Sequence, residues 1–203
     1  MMFKKNIYNF FLIKLLIVSL TLAFGSCSSK NQNLEDTNYQ ERSLKVIYNS
    51  ALNKLLNKDY QEASIEFDEV ERQHPYSKWA KKSILMSSYS SYKNEDYIKC
   101  EANISRFISL YPASESVSYA QYLLAMCYYD QILDPQRDQT AVQMAYNTFN
   151  LILDRYPDTP YAKEAYYKII FLEDSLAAKE MNVAKTYTSL KKYIASLKRY
   201  KNI

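Results

Sequence analysis

Glycine is almost absent from this chain of 203 residues, and the only one, Gly25, lies near the N-terminus. A phosphate-binding loop, a dinucleotide-binding fingerprint and a nucleophile elbow each need glycine where the backbone turns tightly or approaches a phosphate. None of these motifs occurs after residue 25. The absence of glycine therefore excludes the commonest nucleotide-binding and hydrolase signatures from the rest of the chain.

Histidine and cysteine are nearly as scarce. His74 is the only histidine. A Ser-His-Asp triad would have to use this one residue, and a histidine-rich metal site would lack further histidine ligands. Cys100 and Cys127 each lie inside a helical pattern, and we predict buried thiols that pack as small apolar side chains. A disulfide between them stays open as an alternative, because spacing alone does not establish its geometry. We predict no catalytic residues, no metal site and no cofactor other than a covalent lipid, and thus a protein that is not an enzyme.

An excess of charge of one sign is also missing. The chain has 26 basic and 22 acidic residues, and Lys4, Lys5 and Lys14 fall in the first 26 residues, which contain no acid. The remainder has a net charge of about +1. It therefore lacks the excess of positive charge that is typical of proteins that bind nucleic acid. Alternation of strand type is absent and the five prolines lie at junctions between helical stretches. These patterns predict an all-α fold.

The N-terminal 26 residues have the layout of a secretion signal. Lys4 and Lys5 precede an apolar run from Leu15 to Phe24, and two small residues, Gly25 and Ser26, follow it. The run is about half the ~20 residues that a membrane-spanning helix needs. We therefore predict a signal peptide over residues 1–26.

The cysteine directly after the small pair, Cys27, completes a segment that resembles a bacterial lipobox, although Phe24 stands where that motif prefers Leu. The resemblance implies a diacylglycerol thioether and further fatty acylation on Cys27, with residues 27–43 as a polar tether. It implies a location on the periplasmic face of the outer membrane, since Ser28 replaces the Asp typical of inner-membrane retention. Such a lipid anchor holds a protein on a membrane without a spanning helix. An ordinary signal peptide with an incidental cysteine is the alternative.

A four-residue motif occurs three times between helical stretches. It consists of an aromatic residue or His, then Pro, any residue, and Ser or Thr, and its copies are 74–77, 111–114 and 156–159. The proline ends the preceding helix. We predict that Ser77, Ser114 and Thr159 are N-caps of the helices that follow. Proline turns that recur at a regular spacing between helices are typical of helical repeat arrays, which bind partners rather than catalyse reactions.

The spacing of the motif divides the chain into helix pairs. Pro75 and Pro112 are 37 residues apart and Pro112 and Pro157 are 45, against about 34 for a tetratricopeptide repeat. The excess in the third copy is assigned to an inter-helix loop over residues 134–139. We divide the domain over residues 44–203 into repeats at about 44–77, 78–114, 115–159 and 160–203, the last one incomplete.

Aligned small and large residues support this register, and they look like tetratricopeptide positions: Ala63, Cys100 and Ala145; Phe67, Ile104 and Phe149; Pro75, Pro112 and Pro157. More narrowly, the segments at 48–51, 59–63, 92–94, 106–108, 111–112 and 171–174 resemble the BamD/ComL family of lipoproteins, from residue 44 to the end. The resemblance implies a right-handed α-solenoid. It also implies a non-enzymatic scaffold and substrate-recognition subunit of the machine that inserts β-barrel proteins into the outer membrane.

That family resemblance also implies partners. They are a barrel subunit with POTRA domains, the other lipoproteins of the machine, and unfolded C-terminal segments of barrel proteins that end in an aromatic residue. A periplasmic tetratricopeptide adaptor of cell-wall synthesis or division is the alternative, because this fold serves many partners. By the family's pattern, the helix after Lys191-Lys192-Tyr193 should continue to another aromatic-Pro turn, so we expect an incomplete last repeat.

In tetratricopeptide arrays the first helix of each pair lines a concave groove. Tyrosine suits such a surface because it offers a large contact area and a hydroxyl at a small cost in entropy. Lys82 and Lys93 are candidates for the terminal carboxylate of a bound segment, and Trp79 for a packing anchor. The predicted peptide-groove residues are Tyr48, Lys82, Tyr89, Tyr92, Tyr119, Tyr122 and Tyr129. Packing of these tyrosines between helices is the alternative.

Overall fold

The computed structural model describes residues 41–132 and 139–203. The signal peptide predicted over residues 1–26, the lipidation site Cys27 and most of the tether over 27–43 lie outside the described residues. So does most of the loop predicted over 134–139. Residues Arg42–Ile203 form one compact unit.

The described residues form eight α-helices and contain no strand, which confirms the all-α prediction. None of these helices is long and apolar enough to cross a bilayer. With 30 residues, α7 is about twice as long as α6, which has 16. The bounds are α1 Leu44–Leu56, α2 Tyr60–Gln73, α3 Lys78–Lys93, α4 Tyr97–Leu110, α5 Val117–Asp130, α6 Thr140–Arg155, α7 Pro160–Ser189 and α8 Tyr193–Tyr200.

Two of the three predicted N-caps are confirmed. The Ser77 hydroxyl accepts the backbone N–H of Ala80 at 3.0 Å, and the Thr159 hydroxyl accepts that of Ala162 at 3.3 Å. The prediction for Ser114 is wrong, because α5 begins two residues later with Ser116 as its N-cap. The Ser114 hydroxyl instead accepts the N–H of Ser116 within the loop, so it satisfies a loop donor rather than a donor of the helix.

The turns inside three helix pairs share one backbone geometry. Lys58, Glu95 and Lys191 all have a positive φ, between 58° and 66°. Each of them follows the last turn of a first helix, where a left-handed residue commonly ends a helix and glycine is the usual occupant. The chain thus builds its recurrent turn from charged residues, which accounts for a helical array almost without glycine.

Each helix packs against the next one along the chain, and the backbones of α3 and α5, and of α5 and α7, also approach each other. This arrangement confirms the tetratricopeptide-like solenoid of helix pairs. The second helices α2 and α4 are linked instead by long charged side chains. Lys99 Nζ lies 2.7 Å from Asp68 Oδ2, and Arg106 Nη2 lies 2.7 Å from Glu71 Oε2. The first helices therefore form the concave side of the array.

Three apolar clusters follow one another along the solenoid. The predicted small positions are fully buried, and so are the large residues one turn further on, among them Phe67, Ile104 and Phe149. Cys100 and Cys127 belong to the middle cluster as buried, free thiols. A hydrogen bond with the Cys100 thiol, together with burial, raises the pKa of the Cys127 thiol. The residues at the aligned positions thus form the shared core that the register predicted.

Candidate functional site

A groove of about 830 Å³ opens between the N-terminal halves of α3 and α5. Its walls come from three places in the chain: the proline turn before α3, the first turns of α3, and the segment from the next proline turn into α5. The lining residues are Pro75, Tyr76, Ser77, Lys78, Lys81, Lys82, Leu85, Met86, Tyr111, Ser116 and Tyr119.

The groove carries positive charge because Lys78, Lys81 and Lys82 lie in the first two turns of α3 and none of its lining residues is acidic. Among the described residues, no carboxylate forms an ion pair with any of the three lysines. The Lys81 ammonium lies 5.8 Å from the centroid of the Tyr111 ring. A ring at that distance attracts the cation and leaves its N–H donors free for an anionic ligand.

Apolar and aromatic side chains form the rest of the lining. Leu85 is nearly buried, and Tyr119 is half-buried with its ring centroid 5.7 Å from that of Tyr161. Burial raises the pKa of the Tyr119 phenol, so the group stays protonated at neutral pH and can donate a hydrogen bond. An apolar floor with a few convergent polar groups is the usual composition of a ligand site.

This composition suits an anion attached to an apolar group. Lysine binds carboxylates as a point charge, and the aromatic rings offer a large apolar contact area. Within residues 41–132 and 139–203, no group of three or more His, Cys, Asp or Glu side chains is placed to hold a metal ion. The lysines and the apolar lining of the groove thus stand side by side.

Of the predicted groove residues, Lys82 and Tyr119 lie in the wall of this groove. Tyr48 does not, because its side chain is 5% exposed and packs between Phe67 and Trp79. The Lys82 ammonium lies 5.7 Å from the centroid of the Tyr48 ring and 5.6 Å from that of Trp79. Tyr48 thus supports the wall from beneath. The Trp79 ring packs on Tyr48 with centroids 4.5 Å apart, although the Trp79 side chain is 44% exposed.

Tyr122 and Tyr129 lie between α5 and α7. The Tyr122 ring stacks on Tyr161 with centroids 5.2 Å apart, and the Tyr129 ring lies 5.9 Å from Phe171. The Lys168 ammonium lies 4.1 Å from the centroid of the Tyr129 ring. Both phenols have a raised pKa, chiefly because of burial. These half-buried rings join two first helices and are absent from the lining of the groove between α3 and α5.

Tyr89 and Tyr92 lie on α3 and pack against the middle apolar cluster. The Tyr92 hydroxyl donates a hydrogen bond to Asp130 Oδ2 at the end of α5. Burial and this carboxylate raise the pKa of the Tyr92 phenol. Tyr92 therefore links the first helices of two neighbouring repeats.

Tyr92→Phe should lower the free energy of unfolding by about 1 kcal/mol, since it removes one hydrogen bond and leaves the Asp130 carboxylate without that donor. Chemical denaturation followed by circular dichroism measures the change. Tyr76→Phe is the matched control, because the Tyr76 side chain is fully exposed. Equal midpoints for the two variants would show that the bond between α3 and α5 contributes nothing to stability.

Sequence reasoning missed part of the groove. Tyr111 enters the sequence prediction only as a turn residue, and Lys78 and Lys81 are not among the predicted groove residues, although a cluster of lysines after a proline turn is a usable signal. Lys93, the second predicted candidate for the carboxylate, is absent from the lining of the groove. Lys82 and Lys93 are 11 residues apart, so about 16 Å of helix separates them.

Comparison with known proteins gives a consistent result. Residues 40–203 match the family model YfiO, described as outer membrane lipoprotein. The chain is 41% identical over 165 residues to the outer membrane protein assembly factor BamD of Caulobacter vibrioides, covering 81% of this chain and 54% of that protein. The proteins of the same name from Rickettsia prowazekii and Neisseria gonorrhoeae are 31% and 30% identical, over 93% of this chain and 73% and 75% of their own lengths.

The chain thus spans about half the length of the Caulobacter protein and about three quarters of the other two. The similarity runs through the whole helical domain, and therefore through the groove between α3 and α5.

Proposed function

Because the chain belongs to the YfiO family of outer membrane lipoproteins, we propose that it is a non-enzymatic scaffold and substrate-recognition subunit of the machine that assembles β-barrel proteins into the outer membrane. Its relatives are named outer membrane protein assembly factors. That name favours this role over an adaptor of cell-wall synthesis or division. Repeat arrays act by presenting an extended concave surface to partners.

The observation that carries the proposal is the basic, aromatic groove between α3 and α5. Its three lysines have no carboxylate partner among the described residues, and its floor is apolar. We propose that the groove binds the C-terminal segment of an unfolded barrel protein. The terminal carboxylate would meet Lys78, Lys81 and Lys82, and the terminal aromatic ring would lie against Tyr111 and Tyr119.

A peptide-binding measurement tests this role. The probe is a fluorescent ten-residue peptide that ends in Phe with a free carboxylate, titrated with the protein and followed by anisotropy. Lys78→Glu/Lys81→Glu/Lys82→Glu should weaken binding at least roughly tenfold, because each exposed ion pair contributes about 0.2–1 kcal/mol and the reversed charges also repel the peptide.

The matched control carries the same change in net charge elsewhere, as Lys93→Glu/Lys163→Glu/Lys179→Glu, and should bind like the unaltered protein. A peptide with an amidated C-terminus should lose a similar factor on the unaltered protein and little on the groove variant. Equal affinities for the groove and control variants would show that this groove is not the binding site.

We further propose that the protein sits on the periplasmic face of the outer membrane through a lipid on Cys27. A barrel subunit with POTRA domains and the other lipoproteins of the machine would be its partners there. Affinity purification of the tagged protein from membranes in mild detergent, followed by mass spectrometry, tests the partners. Recovery of cell-wall enzymes in place of such a barrel subunit would contradict the assignment.

A further inference from the structure

The first residue of the proline motif has a different partner at each of its three copies. The His74 Nε2 atom lies 2.9 Å from the carbonyl oxygen of Arg42. The Tyr156 ring packs against the middle apolar cluster, and no cation of the described residues lies over it. The Tyr111 ring packs against the same cluster and also lies beneath the Lys81 ammonium. Only the turn that borders the groove thus joins its aromatic ring to a lysine in the described structure.

Tyr111 is fixed by its backbone and by its ring. Its N–H donates to the Phe107 carbonyl oxygen at 2.9 Å, and its own carbonyl oxygen accepts the N–H of Ser114 at 3.0 Å. The centroids of the Tyr111 and Phe107 rings are 5.5 Å apart. These contacts hold the half-buried ring in place, so it offers a preformed surface to the lysine.

Lys81 is the half-buried member of the lysine cluster, whereas Lys78 and Lys82 are exposed. Lys99 is also half-buried, but its Nζ lies 2.7 Å from Asp68 Oδ2. Partial burial makes an unpaired charge costly, and the helix dipole disfavours a cation near the N-terminus of a helix. The tyrosine ring attracts the ammonium without neutralising it. Lys81 therefore keeps its full charge at the wall of the groove.

We propose that Lys81, held on the Tyr111 ring, is the residue by which the groove distinguishes a terminal carboxylate from an uncharged chain end. This assignment rests on the proposed peptide-binding role and locates its selectivity in one cation. Exposed ion pairs, such as those open to Lys78 and Lys82, contribute little. A partly buried pair is screened less by salt, so Lys81 should supply most of the preference. Tyr111 is a positioning residue, because it acts on the carboxylate through Lys81.

The test compares two fluorescent ten-residue peptides that end in Phe, one with a free carboxylate and one amidated. Anisotropy titrations of the full-length protein give the carboxylate ratio, which is the Kd of the amidated peptide divided by that of the free peptide. A loss of apolar contact weakens both peptides and leaves this ratio unchanged, whereas a loss of the carboxylate contact lowers it. The unaltered protein should have a carboxylate ratio of roughly ten, the factor expected for one charge-assisted contact.

Lys81→Gln should lower the carboxylate ratio to about two or less, because it removes the charge and keeps a polar side chain of similar reach. Lys82→Gln should lower it by a smaller factor. Lys168→Gln is the matched control, because the Lys168 ammonium also lies over a tyrosine ring, 4.1 Å from the centroid of Tyr129, and neither residue lines the groove. This control should keep the ratio of the unaltered protein.

Tyr111→Leu should lower the carboxylate ratio about threefold, the factor for the loss of one cation–π contact. Tyr111→Phe retains the ring beneath the ammonium and should keep the ratio. Tyr156→Leu is the matched control for the turn, because Tyr156 occupies the same position of the motif and packs against the same apolar cluster. Thermal melts followed by circular dichroism confirm that each variant is folded at the temperature of the titrations.

Different failures are distinguishable. An unaltered protein that binds neither peptide would contradict the proposed peptide-binding role, and the assignment of Lys81 with it. An unaltered protein that binds both peptides equally would exclude recognition of the carboxylate. If Lys81→Gln kept the carboxylate ratio, or lowered it no more than Lys82→Gln, peptide binding would stand and the selectivity of Lys81 would be wrong. Equal ratios for Tyr111→Leu and Tyr111→Phe would show that the ring does not position the lysine.

Discussion

Phe67→Ala is expected to lower the free energy of unfolding by about 3–5 kcal/mol, which is the usual cost of truncating a fully buried phenylalanine. The Phe67 side chain is 0% exposed and its ring lies 5.5 Å from that of Tyr48. Removal of the ring leaves a cavity between α1 and α2. Since a domain has only about 5–15 kcal/mol of stability in total, the loss is a large fraction of it.

The effect should reach the neighbouring pair. Tyr48 touches both Phe67 in its own pair and Trp79 at the start of α3, and repeats in an array are stabilised chiefly by contacts with their neighbours. Ala63→Trp should act in the same direction, because Ala63 is fully buried and a large side chain there overpacks the core. Thermal melts followed by circular dichroism measure the change, and hydrogen exchange of α3 reports the spread.

Ile65→Ala is the matched control for both variants, because Ile65 lies on the same helix with half of its side chain exposed. It should shift the melting temperature little. If Phe67→Ala and Ile65→Ala melted alike, the register that aligns Phe67 with Ile104 and Phe149 would be wrong.

Cys27→Ala is expected to release the exported protein from the membrane almost completely. A single acyl chain binds a bilayer only marginally, whereas two or more hold a protein stably, at about 0.8 kcal/mol per buried CH₂. Without Cys27 no lipid is attached, and a wash in high salt screens charge contacts between the protein and the membrane surface. Immunoblots of membrane and soluble fractions after this wash measure the release.

Ser28→Ala provides the control, since it alters the adjacent residue and retains the acceptor thiol. It should stay in the membrane fraction. Retention of Cys27→Ala in washed membranes would instead show that the lipid is not what holds the protein there.

The sequence by itself determined the fold to a large extent. Local chemistry sets where these helices begin and end, as the prolines and the hydroxyls of Ser77 and Thr159 show. The aligned small and large residues lie in the core because helical periodicity places them on one face. Ser114 is the exception, since a hydroxyl at the predicted position found a nearer partner in its own loop.

The sequence predicts only part of the candidate site. Periodicity identifies the face of a helix on which a side chain lies, but not the segment that packs against that face. Tyr48 and Tyr119 both lie on first helices, yet Tyr48 is covered by Trp79 and Phe67 whereas Tyr119 lines the groove.

Only the tertiary structure decided which side chains stand together. The packing of α5 beside α3 brings Tyr111 to Lys81, 30 positions away in the chain. It also leaves Lys78, Lys81 and Lys82 facing a shared groove. Helix crossings join residues that are far apart in the chain, and their distances depend on every buried side chain between them. The sequence therefore determined the array and its core, and the packing of the repeats determined the groove.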